Sequence, residues 1–430
     1  MLLQFSVKNF RSFKDEAKLS LEASSDKELE NNLTDVGRER LLNSAVIFGA
    51  NASGKSNIFK ALTAAILIIR QSNNRQINQP LEQITPFLFD EETVKCPTAF
   101  EFYFYAEGKK YLYGFSATKE EIIEEYLYLY KTPKPSLVFE RKENNAYKFT
   151  NAAIKRELQP IVERNTPNKL FLATATAWNC ESTRIPYLWF GEKINVYKND
   201  TDHLFGIAAK MYDEDSEESL RQFTKTLLHE ADINIDDYVF KTNPFSVEEI
   251  DRQLRNALVH GLRAVVPFPL ESMQEGKAIQ IDAIHTVRKG DEQKNYRLPM
   301  SEESLGTQHL FMISPILKRA FESGETLCID EFDASLHPLL TVYMIKLFSN
   351  PQINRAHAQL IVSAHMTELL SPDVLRRDQI YFTEKQRETG SSELYSLDEF
   401  SVRSGENMRK AYLLGRFGAV PEIPEETLWP

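Results

Sequence analysis

A short segment after an apolar stretch carries the residue types that bind a nucleoside triphosphate. Residues 49–56 read GANASGKS and match the GxxxxGK[ST] pattern of phosphate-binding loops (P-loops). Glycines let the backbone wrap around phosphates with its N–H groups, and Lys55 adds charge for the β- and γ-phosphates. The Ser56 hydroxyl can ligate Mg²⁺. We therefore expect ATP and Mg²⁺ as ligands, with nucleotide contacts from Asn51, Ala52, Ser53, Gly54, Lys55, Ser56 and Asn57.

A second segment, residues 326–331, is an apolar stretch that ends in two adjacent carboxylates. Asp330 is predicted to hold the Mg²⁺, directly or through water. Glu331 lies one residue further on, points elsewhere, and can polarise an attacking water as a general base. Alone, such a segment is more often a strand that ends in a solvated acidic turn. Its pairing with the P-loop favours the catalytic interpretation.

The elements that position these residues follow from the hydrophobic pattern. Residues 45–48 predict a buried strand before the P-loop, and residues from 57 onward predict a helix after it. Residues 97–140 are strongly β, and their alternating aromatic side chains are explained more simply by packing than by ligand binding. From residue 278 onward, strands alternate with helices, which predicts a largely parallel sheet covered on both faces.

Lys55 and Asp330 are separated by most of the chain, further than a compact domain requires. We therefore predict three parts. Residues 1–150 form a first lobe with the P-loop and an antiparallel β-subdomain. Residues 151–263 form a mostly helical insertion, and residues 264–430 form a second lobe that carries the carboxylates.

Composition limits the classes of function. The 430 residues are 42% hydrophobic and 26% charged, and no apolar stretch approaches the roughly 18 residues of a membrane span. We expect a cytoplasmic protein without membrane contact. Three separated cysteines argue against a disulfide framework or a zinc site. The net charge of −11 excludes a uniformly basic nucleic-acid surface. It leaves open a local basic groove near Lys8, Arg11 and Lys14 or near residues 376–387, although solvated surface charge is the simpler interpretation.

Four further motifs resemble those of the ABC-type ATPases in the SMC, Rad50, RecF and OLD lineage, whose heads are split by an insertion. Residues 9–12 read NFRS, which is similar to the opening of RecF-like heads. Residues 304–308, SLGTQ, resemble the signature motif that reaches the nucleotide of the opposite subunit. Thr307 replaces its second glycine, and a plain helix cap is an alternative. Residues 333–338 resemble the D-loop, and His365 follows an apolar strand where the family has its switch histidine.

The resemblance is closest to single-headed OLD-like ATPases of the AAA15 group, which are common in bacterial phage-defence systems. It implies an α/β fold: a P-loop NTPase with an ABC-type ATPase head, built from a mixed sheet plus an antiparallel β-subdomain, and an inserted helical region. It adds Arg11, Ser304 and Gly306 to the expected nucleotide-binding residues, and His365 to Glu331 as a catalytic residue. Gln83 is a candidate for the metal-sensing glutamine.

The same resemblance implies partners and a role. We expect a homodimer or higher oligomer and control of a separate effector protein, a nuclease, in anti-phage defence. The chain ends too soon after His365 to hold the C-terminal nuclease of full OLD proteins. RecF-like DNA repair is the alternative, so DNA stays open as a ligand. An ABC transport subunit is disfavoured because the chain has no membrane segment and its signature is atypical.

Overall fold

The computed structural model describes residues 1–142, 145–213, 218–244, 273–274, 277–290, 292–401 and 407–421. Residues 245–272, most of which fall in the predicted helical insertion, and residues 422–430 lie outside these residues. The chain divides into two compact units. The first unit comprises 1–197, 321–332 and 342–430, and the second comprises 198–320 and 333–341.

A seven-stranded sheet, in which every neighbouring pair is antiparallel, forms one layer of the first unit. Its strands alternate between a buried and a more exposed face, because successive side chains of a strand point to opposite sides. The antiparallel β-subdomain that the sequence predicts is therefore confirmed. In spatial order the strands are β10 (Ala146–Phe149), β9 (Ser136–Lys142), β8 (Ile122–Tyr130), β7 (Lys109–Ala117), β6 (Thr98–Ala106), β1 (Leu2–Lys8) and β2 (Ala17–Ser20).

A six-stranded mixed sheet forms the second layer of the first unit and carries the P-loop. In spatial order its strands are β11 (Ile194–Lys198), β16 (Thr326–Asp330), β17 (Gln359–Ser363), β5 (Ser44–Phe48), β18 (Ile380–Lys385) and β19 (Ser392–Ser396). The four central strands run parallel, and β19 runs antiparallel to β18. Every residue of β5 and β17 is buried, as expected for parallel strands covered on both faces.

The remaining elements of the first unit are a hairpin and helices around the two sheets. They are β3 (Leu33–Val36), β4 (Glu39–Leu42), α1 (Lys55–Gln71), α2 (Glu91–Lys95), α3 (Ala152–Val162), α4 (Phe171–Ala177), α5 (Glu181–Glu192) and α10 (Met408–Leu413). Helix α5 packs its aromatic residues on the inner face of the antiparallel sheet, where Phe102 and Phe104 meet Phe190. This contact joins the helical layer to the aromatic core.

Helices α3, α4 and α5 belong to the first unit, whereas the sequence analysis assigned residues 151–263 to an insertion. The Glu125 carboxylate in β8 accepts backbone N–H bonds from Phe171 and Leu172 at the start of α4. The Arg141 guanidinium in β9 donates to the carbonyls of Pro167 and Lys169. Because these buried charges join the helices to the sheet, the boundary between the units falls after Tyr197 and not at residue 151.

The second unit combines helices with a four-stranded antiparallel sheet. Its elements are α6 (Thr201–Asp213), α7 (Ser219–Glu230), β12 (Asp237–Pro244), β13 (Met273–Gln274), β14 (Lys277–Lys289), β15 (Glu292–Pro299) and most of α8 (Leu305–Ser323). Helix α9 (Pro338–Ser349) begins in the second unit and ends in the first. The helical spacing predicted around Leu220–Leu228 corresponds to α7, but β12 was not predicted. Among the described residues, no helix is both long and apolar enough to cross a membrane.

Candidate nucleotide-binding site

The P-loop connects β5 to α1, and its glycines occupy positions that other residues could not. Gly49 has φ +154°, and a Cβ there would lie 2.5 Å from the Thr383 carbonyl oxygen. Gly54 has φ +120°, and a Cβ there would lie 2.6 Å from the Ser392 Oγ atom. Backbone conformations with positive φ favour glycine, and the close contacts leave no room for a side chain. The loop is therefore built from backbone with little side-chain cover.

The Lys55 side chain is buried, and its ammonium turns back into the loop. Its Nζ atom donates to the carbonyl oxygens of Gly49, at 2.7 Å, and Ala50, at 3.2 Å. The fraction of Lys55 that is exposed is only 6%. A buried positive charge beside glycine-shaped backbone, at the N-terminus of a long helix, fits a phosphate group. The contact of Lys55 with the β- and γ-phosphates stays a prediction.

Side chains from distant parts of the chain hold the P-loop in place. The Asn57 side-chain amide donates to the Ser12 hydroxyl at 2.8 Å, and the Ser392 hydroxyl donates to the Ser53 carbonyl at 2.7 Å. The Ser53 and Thr383 hydroxyls share a hydrogen bond of 2.6 Å. The sequence analysis did not identify Ser392 or Thr383. No local pattern marks them, because they reach the loop only through the pairing of β18 with β5 and β19.

The residues of the NFRS segment make different contacts. The Asn9 amide donates to the carbonyls of Thr93 and Cys96, so this side chain anchors a loop. Arg11 is exposed, has φ +51°, and lies 5.7 Å from the centre of the Phe10 ring. Ser12 makes the contacts to the P-loop region. The structure thus places Arg11 next to the residue that contacts the loop, and its own nucleotide contact stays a prediction.

The carboxylates lie at the edge of the sheet where the P-loop begins. Strands β16, β17 and β5 are parallel neighbours, so their carboxyl ends meet there, and β16 is roughly 10 Å from β5. The Ser363 hydroxyl donates to Asp330 Oδ1 at 2.6 Å and accepts the Glu331 N–H at 2.7 Å. One hydroxyl therefore contacts both the Asp330 carboxylate and the backbone of Glu331. Ser363 could have been found from the sequence as a polar residue that ends a buried strand.

Two more predicted residues lie at the same edge. Ser56 is in the first turn of α1 and is half-buried, like Asp330. A hydroxyl and a carboxylate are the hard oxygen ligands that Mg²⁺ prefers, so this pair fits the ion. His365 is exposed and lies two residues after β17, and the intervening Ala364 N–H bonds to the Ile47 carbonyl at 3.1 Å. This bond extends the pairing with β5 to the residue before His365.

The signature-like residues lie in the second unit. The Ser304 hydroxyl accepts the Thr307 N–H at 3.1 Å, so Ser304 caps α8, as the alternative interpretation from sequence allowed. A Cβ on Gly306 would lie 2.8 Å from the Ser335 carbonyl, so the D-loop-like segment packs against the first turn of α8. Leu305 and Leu339, near this contact, are 62% and 73% exposed.

Two residues that the sequence left as candidates, Gln83 for the metal-sensing glutamine and Arg376 for a local basic groove, do not lie where those roles require. The Gln83 amide lies 3.5 Å from Gln71 Oε1, at the last residue of α1. The P-loop is at the first residue of that helix, roughly 24 Å away, so the structure does not bring Gln83 to the site. Arg376 is also no part of a basic groove. The Arg376 side chain is fully buried and paired with Asp378, and its guanidinium also donates to the Asp26 carbonyl.

The sheet, the P-loop and the adjacent carboxylates define a P-loop nucleoside triphosphatase of the α/β class. Residues 44–150 and 189–371, more than half of the chain, match the family described as "AAA domain, putative AbiEii toxin, Type IV TA system". The chain belongs to this family, which confirms the predicted P-loop ATPase fold. Nucleotide hydrolysis is the general activity of such domains, and Mg²⁺ is their usual metal.

One solved structure that aligns with the chain is described as "Crystal structure of the SmcHead bound to the C-winged helix domain of ScpA". It is 13% identical, has a TM-score of 0.39, and aligns over 92% of this chain and 97% of that chain. No curated protein matches the chain.

Proposed function

We propose that the chain hydrolyses ATP in a site shared between two copies of itself, and that this cycle controls a separate effector in anti-phage defence. The observation that carries the proposal is the hydrogen-bonded group Asp330–Ser363–Glu331 at the edge of the sheet where the P-loop begins. This group supplies a metal-binding carboxylate and a candidate base, and Lys55 of the P-loop supplies the phosphate-binding cation.

The residues have distinct roles in hydrolysis. Lys55 offsets negative charge on the β- and γ-phosphates, and Ser56 and Asp330 hold the Mg²⁺, which neutralises developing charge on the phosphate oxygens. Glu331 orients and deprotonates the attacking water. Its side chain is exposed, and its backbone is left-handed with φ +54°, so the carboxylate departs from the direction of the strand. His365 contacts the γ-phosphate from the neighbouring strand.

A second copy supplies the remaining donors. The N-terminus of α8 is the positive end of the helix dipole, which favours anions, and Ser304 and Gly306 lie there. The exposed Leu305 and Leu339 supply apolar surface that an interface would bury. Donors that arrive only with the second copy make hydrolysis depend on assembly, and such charge stabilisation is worth orders of magnitude in rate. Asn51, Ala52, Ser53, Gly54 and Asn57 hold the nucleotide in the first copy, with Arg11 beside them.

The biological role follows from the family and from the resemblance to OLD-like ATPases. The description of the matched family names a toxin and a type IV TA system, which favours a defence role over DNA repair. The effector is then a separate nuclease, released or activated when ATP turnover changes the assembly. The burial of Arg376 removes one cation from the basic groove that a RecF-like repair function would use.

The variant Glu331→Gln tests the hydrolytic role. We expect phosphate release to fall by roughly a hundredfold or more, while the affinity for ATP changes little and ATP-bound dimers accumulate in light scattering. Glu192→Gln, which makes the same change on the exposed end of α5, should behave as wild type. Wild-type turnover in Glu331→Gln would refute the role of this base.

The defence role is tested in cells that express the chain with the gene beside its own. Protection against phage should require Lys55 and be lost in Lys55→Ala. Tight, ATP-stimulated and salt-dependent binding to DNA junctions, without protection against phage, would instead favour repair.

A further inference from the structure

The outer face of the antiparallel sheet has an unusual composition. Its inner face packs phenylalanines into the core, but its outer face carries five half-buried tyrosines on β6 and β8. They are Tyr103, Tyr105, Tyr126, Tyr128 and Tyr130. Tyrosine combines a large apolar area with a polar end, and it is enriched where proteins bind other molecules. The sequence analysis explained these residues by packing alone, which accounts for the inner face and not for the outer one.

One cross-strand row of this face is organised around Tyr126. Strand pairing places Glu101, Gly114, Tyr126 and Glu140 side by side on β6, β7, β8 and β9. The ring of Tyr126 lies over Gly114, where a Cβ would approach its Cζ and Oη atoms to 2.4 Å, and its hydroxyl donates to Glu101. Gly114 thus allows the ring to lie flat along the sheet. The row presents an aromatic ring between two carboxylates.

A cavity of about 410 Å³ opens beside this row. It is lined by three carboxylates, those of Glu101, Glu124 and Glu140, together with the rings of Tyr126 and Tyr128. Two cationic residues also border it, but neither fills it. Lys142 is an exposed partner of Glu140 at 3.6 Å, and the Arg141 guanidinium bonds to carbonyls near the start of α4. The cavity therefore holds more negative than positive charge.

The same face already holds one cation of the chain itself. The Lys110 ammonium lies 5.9 Å from the centre of the Tyr103 ring and 5.5 Å from that of Tyr130. It pairs with the carboxylates of Glu22 and Glu39. Tyrosine rings flanked by carboxylates thus hold a lysine at one end of the face. The Tyr126–Tyr128 end has the same groups and, among the described residues, no lysine between its rings.

We propose that this face docks a lysine- or arginine-rich segment of a partner protein, with one cationic side chain seated in the cavity. The carboxylates provide the charge and the tyrosines provide cation–π contacts. Charge complementarity of this kind sets partner choice and the rate of association. The docking surface consists of side chains remote in sequence from the P-loop and does not depend on ATP hydrolysis.

The test measures binding of a labelled peptide of alternating arginine and glycine by fluorescence anisotropy, at about 150 mM salt to screen weak attraction. A peptide of alternating glutamate and glycine is the charge control. The double variant Glu124→Gln/Glu140→Gln removes the cavity charge. The double variant Glu120→Gln/Glu121→Gln removes equal charge from the exposed turn between β7 and β8.

We expect the arginine peptide to bind and the glutamate peptide not to bind. The cavity variant should weaken binding roughly tenfold, and the turn variant by less than about twofold. Gly114→Ala, which displaces the Tyr126 ring without changing charge, should also weaken binding. All variants should retain wild-type ATP hydrolysis, which shows that they are folded and separates this proposal from the proposed function.

Three results would overturn the proposal. Equal losses in the two double variants would mean that the net charge of the chain attracts the peptide. No measurable binding of the arginine peptide would mean that the face does not recognise cations. A change in the mass of the assembly by light scattering in the cavity variant alone would assign the face to a second copy of this chain.

Discussion

The P-loop and the first turn of α8 contrast in how their side chains are satisfied. In the P-loop, Ser53 and Asn57 bond to Thr383 and Ser12 elsewhere in the first unit, and Lys55 bonds to the loop carbonyl of Gly49. At the start of α8, Leu305 is largely exposed and Ser304 caps its own helix, and His309 is buried with no hydrogen-bond partner among the residues that the structure describes. One half is fully supported inside the chain, whereas the other displays apolar surface and helix-end donors.

This difference indicates that the P-loop is held in place within one chain, whereas the start of α8 is open to contact with a partner. A preorganised P-loop needs no further protein contact to bind a nucleotide. An exposed leucine beside a helix N-terminus gains by burial against another molecule. The contrast predicts that damage to the P-loop abolishes binding, whereas damage to the start of α8 leaves binding intact and impairs assembly.

The largest effect is expected from Lys55→Ala. Loss of the buried cation should weaken ATP binding by roughly a hundredfold or more, because a charge-assisted contact to phosphate is lost within a buried loop. Lys60→Ala, on the exposed side of the same helix, is the control and should bind as wild type. Calorimetry measures both. Unaltered affinity for ATP in Lys55→Ala would contradict the role of the P-loop in nucleotide binding.

The next effect is expected from Leu305→Asp. A charge on this exposed leucine should prevent the ATP-dependent dimer and lower turnover by roughly thirtyfold, while ATP binding persists. Leu413→Asp, at a leucine of similar exposure on α10, is the control. Light scattering with and without ATP measures the dimer. If Leu305→Asp lost ATP binding as well, the contrast between the two halves would fail.

A smaller effect is expected from Ser363→Ala. Removal of the hydroxyl that joins Asp330 to the Glu331 N–H should cost about 1.5–3 kcal/mol in transition-state stabilisation, which corresponds to roughly ten- to hundredfold in rate. The apparent affinity for Mg²⁺ should fall too, and Ser363→Thr should restore part of both. Ser44→Ala removes a buried hydroxyl at the opposite end of the same sheet. A loss as large in that control would indicate a structural role for both serines.

The smallest effect concerns His309 and pH. Burial lowers the pKa of His309 from 6.5 to about 4. As pH falls below 6.5, the unfolded chain binds a proton that the folded chain excludes, so the folded state loses about 1.4 kcal/mol per pH unit down to about pH 4.

The variant His309→Leu should therefore gain stability relative to wild type as pH falls from about 6.5 to about 5.5, and show no such trend above about pH 7. Urea unfolding at several pH values measures the difference. A constant difference at all pH values would mean that His309 titrates equally in both states.

Local motifs predicted the elements around the P-loop and Asp330 well, because phosphate binding needs particular residues at fixed spacing. The strand before Gly49, the helix after it and the strand ending at Asp330 all lie where expected. The roles of Ser392 and Thr383 could not be predicted, since they depend on strand pairing across hundreds of residues.

The boundaries between the units were predicted less well. Helical periodicity indicates an apolar face for each helix, but it does not say what the face packs against. Hence α3–α5 were assigned to the insertion, although the buried pairs of Glu125 and Arg141 join them to the antiparallel sheet. The tyrosine face could not be predicted for a similar reason, because only the strand register shows that Glu101, Tyr126 and Glu140 share a row.

The central claim, a site shared between two copies, is tested by mixing two inactive variants. Lys55→Ala lacks a working P-loop, and Ser304→Arg obstructs the start of α8 but should still bind ATP. In an equal mixture, a mixed dimer contains one site with an intact P-loop from one copy and an intact α8 from the other. We therefore expect ATP hydrolysis to return to as much as roughly a quarter of the wild-type rate. No recovery, with mixed dimers present by mass, would show that each chain completes its own site.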